Sequence, residues 1–442
     1  PVVHFFDGFR TSHEIAKISA IDDSLISAML SPEAIEANRA RGMSPAHPNI
    51  RGTSQNPDVF FQARETVNPY YKKFQDIVAD KMARFAELSG RSYKIFDYVG
   101  AQEAERVIVI MGSGAETVDE TVAHLVKQGE KVGLVKVRLY RPFYSEQFIR
   151  ALPKSVKALA VLDRTKEPGS EGEPLYKDVC TTLFESSQQL ISENGVLPRV
   201  IGGRYGLGSK EFTPGMVKAV FDELSRVPAK NGFTIGIHDD LSHSSLKWDE
   251  NYRTEAHARS IECVFFGLGS DGTVSANKSS IKIIGEHTNK FAQGYFVYDS
   301  KKSGAVTISH LRFGPDPIKS TYLIGRNSAQ YVGCHQSLFL EKYEVLEYAQ
   351  TAAVFLLNTS VKKEQVWDSL PEKIKLQIVE KKIRFYAIDA YAIAEQSGMG
   401  RRINTVMQTC FFAISNVLPS EQAIGAIKSS VSLFKSKTLT SG

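Results

Sequence analysis

An alternation of apolar runs and helical patterns in the middle of the chain constrains its fold most. The run at residues 106–111 leads through Gly112-Ser113-Gly114 into a helical pattern at 117–127, and similar runs follow at 132–137 and 158–163. Runs with so few charges are typical of strands buried on both faces, and hence of a parallel sheet covered by helices. The same unit is predicted to contain a helix at 145–152, a fourth strand at 199–202 and a loop at 203–208.

A second alternation begins near Arg259 and predicts another α/β unit. A strand at 260–266 is followed by a glycine-rich turn at 267–272 and a helix at 273–287. The polar stretch 239–257 is the predicted hinge between the two units. The further elements predicted here are strands at 291–298, 306–311, 320–324, 353–357 and 384–388 and helices at 404–413 and 421–434.

Residues 1–98 follow a different pattern. An apolar opening at 2–9 suggests the tail of a sheet, residues 11–14 (TSHE) resemble a helix start, and 44–53 must be a loop because they are rich in Pro, Asn and Gly. A long helix is predicted at 70–88. We interpret the region as the end of a domain whose beginning is absent.

Composition excludes several classes of protein. The 442 residues are 42% hydrophobic and 23% charged, which is typical of about two to four globular domains. A net charge of +5 is too slight to indicate a nucleic-acid partner, and no apolar run is long enough to span a membrane. The four widely separated cysteines offer no C-x-x-C pair for zinc or an iron–sulfur cluster, so no metal ligand is predicted. Few cysteines and no signal segment favour the cytosol or an organelle matrix.

The strongest functional signal is Gly267-x-Gly269-x-x-Gly272. It follows a predicted strand and opens a predicted helix, which is the context of a phosphate-binding turn. Glycines allow the backbone to approach a pyrophosphate, and the helix N-terminus supplies N–H groups and partial positive charge. A tight turn without a ligand is the structural alternative.

Two basic loops accompany this turn. Lys301 and Lys302 follow the strand at 291–298, and Arg402 and Asn404 lie in the loop that leads into the helix at 404–413. Two lysines after Asp299 do not suit the ribose hydroxyls of NAD; they suit a ligand with an additional phosphate. The residues leave NADP and coenzyme A open, and a solvated lysine turn is the alternative without a ligand.

Eight sequence blocks resemble one family, the pyruvate:ferredoxin (flavodoxin) oxidoreductases. They extend over nearly the whole chain. The blocks are residues 4–14, 52–58, 137–143, 162–169, 203–212, 269–274, 294–304 and 309–314.

The resemblance implies three α/β parts. Residues 1–98 would be the C-terminal end of the pyrimidine-side thiamine diphosphate domain. Residues 99–250 would be a doubly wound, transketolase-C-like domain, and 251–442 a gamma-type domain that binds coenzyme A. The family oxidatively decarboxylates pyruvate on thiamine diphosphate and passes electrons through iron–sulfur clusters to ferredoxin or flavodoxin. By that resemblance, the coenzyme A site would comprise Gly269, Asp271, Gly272, Thr273, Lys301, Lys302, Arg402 and Asn404.

The departures from the family pattern limit these expectations. The chain has no G-D-G…N segment for thiamine diphosphate and Mg²⁺ and no cysteine runs for 4Fe–4S clusters. We therefore interpret it as an internal fragment that is inactive alone and contains no catalytic residue. The missing parts of the enzyme, ferredoxin or flavodoxin and a second copy in a homodimer are the expected partners.

Three further alternatives stay open at this point. The segment could come from a pyruvate:NADP oxidoreductase fusion, be an NADP-binding domain, or be a non-catalytic assembly module. The expected compartment is the cytoplasm, or a hydrogenosome-like organelle matrix in an anaerobic eukaryote.

Overall fold

Two sheets, one built mainly after the other along the chain, form the frame of the structure. The computed structural model describes residues 3–8, 10–48, 54–269, 271–298, 306–400, 402–415, 417–419 and 421–428. No helix in these ranges is long and apolar enough to cross a membrane.

The strands are β1 Glu14–Ala16, β2 Phe96–Gly100, β3 Arg106–Ile110, β4 Val132–Val137, β5 Ala158–Asp163, β6 Arg199–Tyr205, β7 Phe233–Ile235, β8 Ile261–Leu268, β9 Phe291–Tyr298, β10 Val306–Gly314, β11 Ala329–Cys334, β12 Ala349–Asn358 and β13 Arg384–Ile388. The helices are α1 Asp23–Met29, α2 Pro32–Ala40, α3 Pro57–Glu65, α4 Asn68–Ser89, α5 Gly114–Lys127, α6 Ser145–Ala151, α7 Pro174–Glu185, α8 Ser187–Asn194, α9 Pro214–Leu224, α10 Glu255–Ala258, α11 Thr273–His287, α12 Phe339–Lys342, α13 Val366–Ser369, α14 Glu372–Glu380, α15 Ala390–Gln396 and α16 Asn404–Ser415.

The first sheet has the order β2-β4-β3-β5-β6-β7 and is parallel except for the antiparallel edge strand β2. Alternate residues of β3 face opposite layers: Ile108 packs in the layer of α5 and α9, and Val107 packs in the layer of α6 and α7. Both side chains are fully buried. The prediction of a parallel sheet covered on both faces is therefore confirmed. Helices cover both faces, so the residues on each side of these strands are apolar.

The second sheet is mixed and has the order β1-β9-β10-β8-β11-β12-β13. Strands β8, β11, β12 and β13 are parallel, whereas β10 is antiparallel to both β8 and β9. Strand β9 therefore points in the same direction as β8, and the carboxyl ends of both strands lie at one edge. Helices α11 and α16 cover one face of this sheet.

Several sequence predictions near the second sheet are wrong in detail. Strand β8 continues through Gly267 and Leu268, so the turn begins later than predicted. The ladder reaches these residues because Thr307 and Val306 of β10 pair with them. In the first sheet, likewise, the predicted loop at 203–208 starts as strand, since β6 pairs with β7 through Tyr205.

The predicted strand at 320–324 does not form. Backbone groups of this segment bond to side chains instead of to another strand: Gln293 donates to the carbonyl of Ser320, and the N–H of Leu323 donates to Glu211. The strand between β8 and β12 is β11, which the sequence analysis did not predict.

The amino-terminal region is mainly helical, and its long predicted helix is confirmed by α4. The apolar opening is not strand in its described residues. Thr11–His13 form one 3-10 turn rather than the start of an α-helix, and Glu14 is already the first residue of β1. Glu14 of β1 pairs with Tyr295 of β9, so this short strand joins the second sheet. Of the predicted loop at 44–53, residues 49–53 lie outside the described residues.

The domain limits at residues 98 and 250 stay predictions. The first sheet begins with β2 at Phe96, and its last strand, β7, ends at Ile235. The second sheet takes one strand from the amino-terminal region and the others from β8 onward.

Candidate functional site: the carboxyl edge of the second sheet

The glycine-rich turn lies at the carboxyl edge of the second sheet, between β8 and α11. Leu268, the last residue of β8, pairs with Val306, and Tyr298, the last residue of β9, pairs with Thr307. The two strand ends therefore flank the start of β10. The loop that connects β9 to β10 starts and ends at the edge where the glycine turn lies, but Lys301 and Lys302 themselves lie outside the described residues.

The first glycine of the pattern has a packing role. A Cβ atom on Gly267 would lie 2.5 Å from the Thr273 side chain, so the glycine allows α11 to approach β8 closely. The turn itself starts at Gly269. Gly272 has φ +85°, a left-handed conformation that favours glycine, and it precedes the first residue of α11.

Asp271 holds this turn through its own side chain. One carboxylate oxygen accepts the N–H of Leu268 at 2.8 Å, and the other accepts the N–H of Thr273 at 2.8 Å. An ionised carboxylate repels phosphate, so this geometry gives Asp271 a structural role in shaping the loop. Its predicted contact with a ligand stays a prediction.

The structure brings the third predicted loop to the same place. A Cβ atom on Gly272 would lie 2.9 Å from Nδ2 of Asn404, the first residue of α16. Arg402 is exposed two residues earlier, and its N–H donates to the carbonyl of Met399. Asn404 and the glycine turn are thus direct neighbours, with an exposed guanidinium close to them in sequence.

His335 is a site residue that no local sequence pattern indicated. It directly follows β11, is 3% exposed, and its Nδ1 lies 2.8 Å from Oγ1 of Thr273. Burial lowers the pKa of His335 to about 4, so the ring is neutral near pH 7. The strand before it, β11, could have indicated this position. Because β11 is parallel to β8, a residue that follows β11 lies at the same edge of the sheet as the glycine turn.

Two buried polar side chains lie under the first turns of α11. Asn277 follows Thr273 by one helical turn on the buried face, and Thr307 pairs with Gly267, whose Cβ position points to that helix. Within the described part of the chain, Nδ2 of Asn277 and Oγ1 of Thr307 have no hydrogen-bond partner. Unsatisfied buried groups are costly, so both are available to a polar ligand or water.

The described residues do not fit a metal or iron–sulfur site. Cys263 and Cys334 are buried in β8 and β11, whereas Cys180 and Cys410 lie in α7 and α16. Burial raises the pKa of Cys334 to about 12, which opposes the thiolate form that ligates iron. No group of three or more His, Cys, Asp or Glu side chains in the described ranges could hold Mg²⁺ for thiamine diphosphate.

Three models of one protein family match consecutive parts of the chain. Residues 1–83 match the thiamine diphosphate-binding part of pyruvate flavodoxin/ferredoxin oxidoreductase, 104–204 match core domain II of pyruvate:ferredoxin oxidoreductase, and 262–436 match the pyruvate ferredoxin/flavodoxin oxidoreductase model. The chain belongs to the pyruvate:ferredoxin (flavodoxin) oxidoreductase family. The resemblance stated from the sequence blocks is therefore confirmed, as is the α/β class.

Named relatives match over almost the whole chain. A putative pyruvate-flavodoxin oxidoreductase of Synechocystis is 56% identical over 98% of this chain and 35% of its own length. The pyruvate:ferredoxin oxidoreductase of Moorella thermoacetica is 55% identical over 98% of this chain and 36% of its own length. A pyruvate dehydrogenase (NADP+) of Cryptosporidium parvum is 46% identical over 98% of this chain and 22% of its own length. The chain thus spans about a third of the length of the first two.

Among solved structures, the pyruvate oxidoreductase subunit PORC of Thermotoga maritima aligns with 40% of this chain and 85% of its own, at 17% identity and a TM-score of 0.31. That score is too low to establish a shared fold.

Proposed function

We propose that this chain is a segment of a 2-oxoacid oxidoreductase that converts pyruvate and coenzyme A to acetyl-CoA and CO2. In that enzyme it supplies the coenzyme A site and part of the scaffold. The observation that carries the proposal is the contact of Asn404 with Gly272, because it joins two of the three predicted loops at the N-terminus of α11. Family membership supports coenzyme A over other phosphate ligands.

The chemistry of the edge suits a diphosphate with an additional phosphate. Gly269 and Gly272 give a ligand access to the backbone, and the 15-residue helix α11 presents its N-terminus there. Lys301 and Lys302, in the loop after β9, would neutralise phosphates of the ligand, and Arg402 would bind the adenosine 3′-phosphate. The two amide groups of the pantetheine arm would find partners in the buried Asn277 and Thr307.

The remaining components belong to the full-length enzyme in this proposal. Thiamine diphosphate, Mg²⁺ and the 4Fe–4S clusters would be held largely outside these residues, and ferredoxin or flavodoxin would accept the electrons. A homodimer in the cytoplasm, or in an organelle matrix, is the proposed setting. No step of the thiamine chemistry is assigned to the described residues, and the chain alone is expected to be inactive.

Calorimetric titration of the full chain with coenzyme A tests the site. Replacing Lys301 and Lys302 together with alanine should weaken binding about tenfold or more, because charge-assisted contacts to phosphate are lost. The matched control replaces Lys72 and Lys73, an exposed adjacent pair on α4, and should leave affinity unchanged. Equal affinities of the two variants for coenzyme A would show that Lys301 and Lys302 are not part of the site.

The NADP alternative has one observation in its favour, the name of the Cryptosporidium parvum relative. Thermal unfolding with coenzyme A or NADPH separates the two ligands. Stabilisation by coenzyme A alone supports the proposal, whereas stabilisation by NADPH alone supports a nucleotide-binding oxidoreductase domain. A third outcome is that neither ligand stabilises the chain and that the assembled full-length protein does not oxidise pyruvate. This outcome would indicate a non-catalytic module.

A further inference from the structure

The first sheet has a crevice at its carboxyl edge that the proposed function does not use. Strand β3 has β4 on one side and β5 on the other, so the order of strands reverses at β3. In doubly wound sheets ligands bind where the order reverses, outside the carboxyl ends of the strands. Here β3 leads through Gly112 and Ser113 into the 14-residue helix α5.

A carboxylate of the chain itself occupies this crevice. Oδ2 of Asp7 accepts the backbone N–H of Ser113 at 2.6 Å, across 106 residues of sequence. Arg164, which directly follows β5, places Nε 3.4 Å from Oδ1 of Asp7. Its guanidinium also donates to Oγ of Ser113 at 3.2 Å and lies over the ring of the buried Tyr205.

The surroundings of Asp7 have the chemistry of an oxyanion site. The N-terminus of α5 supplies backbone donors and partial positive charge. The side chain of Arg164, which is 16% exposed, supplies a full positive charge. Gly112 has φ +76°, and a Cβ atom there would lie 2.8 Å from Oδ2 of Asp7. Glycine at this position therefore permits the close approach of the carboxylate, as it would permit the approach of a phosphate.

The residues after Asp7 bind the second sheet. Arg10 is 4% exposed; it donates to the carbonyl of Ser209 at 2.6 Å and to the carbonyl of Thr321 at 3.3 Å. Strand β1 then pairs with β9, and Nζ of Lys17 donates to the carbonyl of Gly285 in α11 at 2.8 Å. One short segment thus contacts both α/β units.

We propose that the turn at residues 112–114 is an anion-binding site whose ligand is the chain's own Asp7 carboxylate, and that this internal ligand, together with Arg10 and β1, fastens the amino-terminal segment across both sheets. The Gly-Ser-Gly turn, which is too short for a dinucleotide signature, is explained by this smaller ligand. A carboxylate or a similar small oxyanion added in solution can take the place of Asp7 only when that side chain is removed.

The test is chemical rescue in the full chain. Asp7→Ala should lower the thermal unfolding midpoint by about 3–8 °C, since a charge-assisted contact is lost. Sodium acetate should restore part of this loss in a saturable manner, and sodium chloride at equal ionic strength should not. The wild type and Asp58→Ala, which removes a carboxylate from the first turn of the exposed helix α3, should not respond specifically to acetate.

An equal response of all three proteins to acetate and chloride overturns the proposal. Should Asp7→Ala fail to fold, Asp7→Asn keeps the size of the side chain and removes its charge. Hydrogen exchange at the N–H of Ser113 should then accelerate about tenfold or more, while amides in α9 keep their protection. Unchanged protection at Ser113 would likewise overturn it.

Discussion

At the residue scale, Gly272 shows how one backbone angle determines a loop. Its φ of +85° is left-handed, and Asn404 fills the space that a side chain would need. Gly285 in the same helix has no such constraint, since the nearest atom to a Cβ there, on Lys17, is 3.8 Å away. The two glycines therefore have opposite expected responses to substitution.

Gly272→Ala should destabilise the chain by about 1–2 kcal/mol, because a left-handed alanine is strained. It should also weaken coenzyme A binding. Gly285→Ala, the matched control, should stabilise by about 0.5–1 kcal/mol, because alanine is the better helix former. Urea unfolding measures both changes, and an equal loss in the two variants would contradict the assignment of strain to Gly272.

Two buried histidines make stability depend on pH. Burial lowers the pKa of His335 to about 4 and the pKa of His310 to about 3. Between these values and about 6.5, the pKa of an unperturbed histidine, the unfolded chain binds protons that the folded chain does not. Stability is therefore expected to fall as the pH falls below about 6.5, by at most about 1.4 kcal/mol per pH unit for each histidine.

His335→Asn should reduce this loss of stability between pH 7 and pH 5, measured by urea unfolding at both values. His238→Asn, which replaces an exposed histidine, should leave the loss as it is in the wild type. A wild-type slope in His335→Asn would mean that this histidine is not held neutral by burial.

At the scale of elements, α5 connects the two units through Glu120. Its carboxylate accepts hydrogen bonds from the hydroxyl groups of Thr254 at 2.5 Å, Ser320 at 2.5 Å and Tyr322 at 2.8 Å. All three donors are buried. Ser320 and Tyr322 belong to the segment 320–324, so this contact holds a segment of the second unit against α5 of the first.

Glu120→Ala should cost about 2–3 kcal/mol, because buried hydroxyls lose their acceptor. Glu146→Ala, at an exposed position in α6, should change stability by less than about 0.5 kcal/mol. Thermal and urea unfolding provide the comparison. Similar small losses in both variants would show that the hydroxyls find other partners, and that Glu120 does not join the units.

At the scale of the whole molecule, the four cysteines are distributed through both units and all are free thiols. Cys263 and Cys334 are buried, and burial raises the pKa of both thiols. Reconstitution of the chain with iron and sulfide is therefore expected to give no visible absorption of a 4Fe–4S cluster. Stable cluster absorption that survives gel filtration would contradict this expectation.

The sequence by itself determined most strands and the glycine turn. Strands β4, β5, β9 and β13 have the predicted bounds. In β4 and β5 every residue is buried, and strands buried on both faces are apolar over nearly their whole length. The turn was visible because its glycines are close in sequence and follow β8.

Only the tertiary structure decided how distant segments combine. Asp7 reaches Ser113 across 106 residues, and Glu120 reaches Tyr322 across 202 residues. Neither pairing leaves a local pattern, since a carboxylate accepts any suitable donor that the fold brings within reach. Burial in a core restricts every residue of a strand, so it leaves a run of apolar residues in the sequence. A polar contact between units depends only on which side chains the fold brings together, and it leaves no such run.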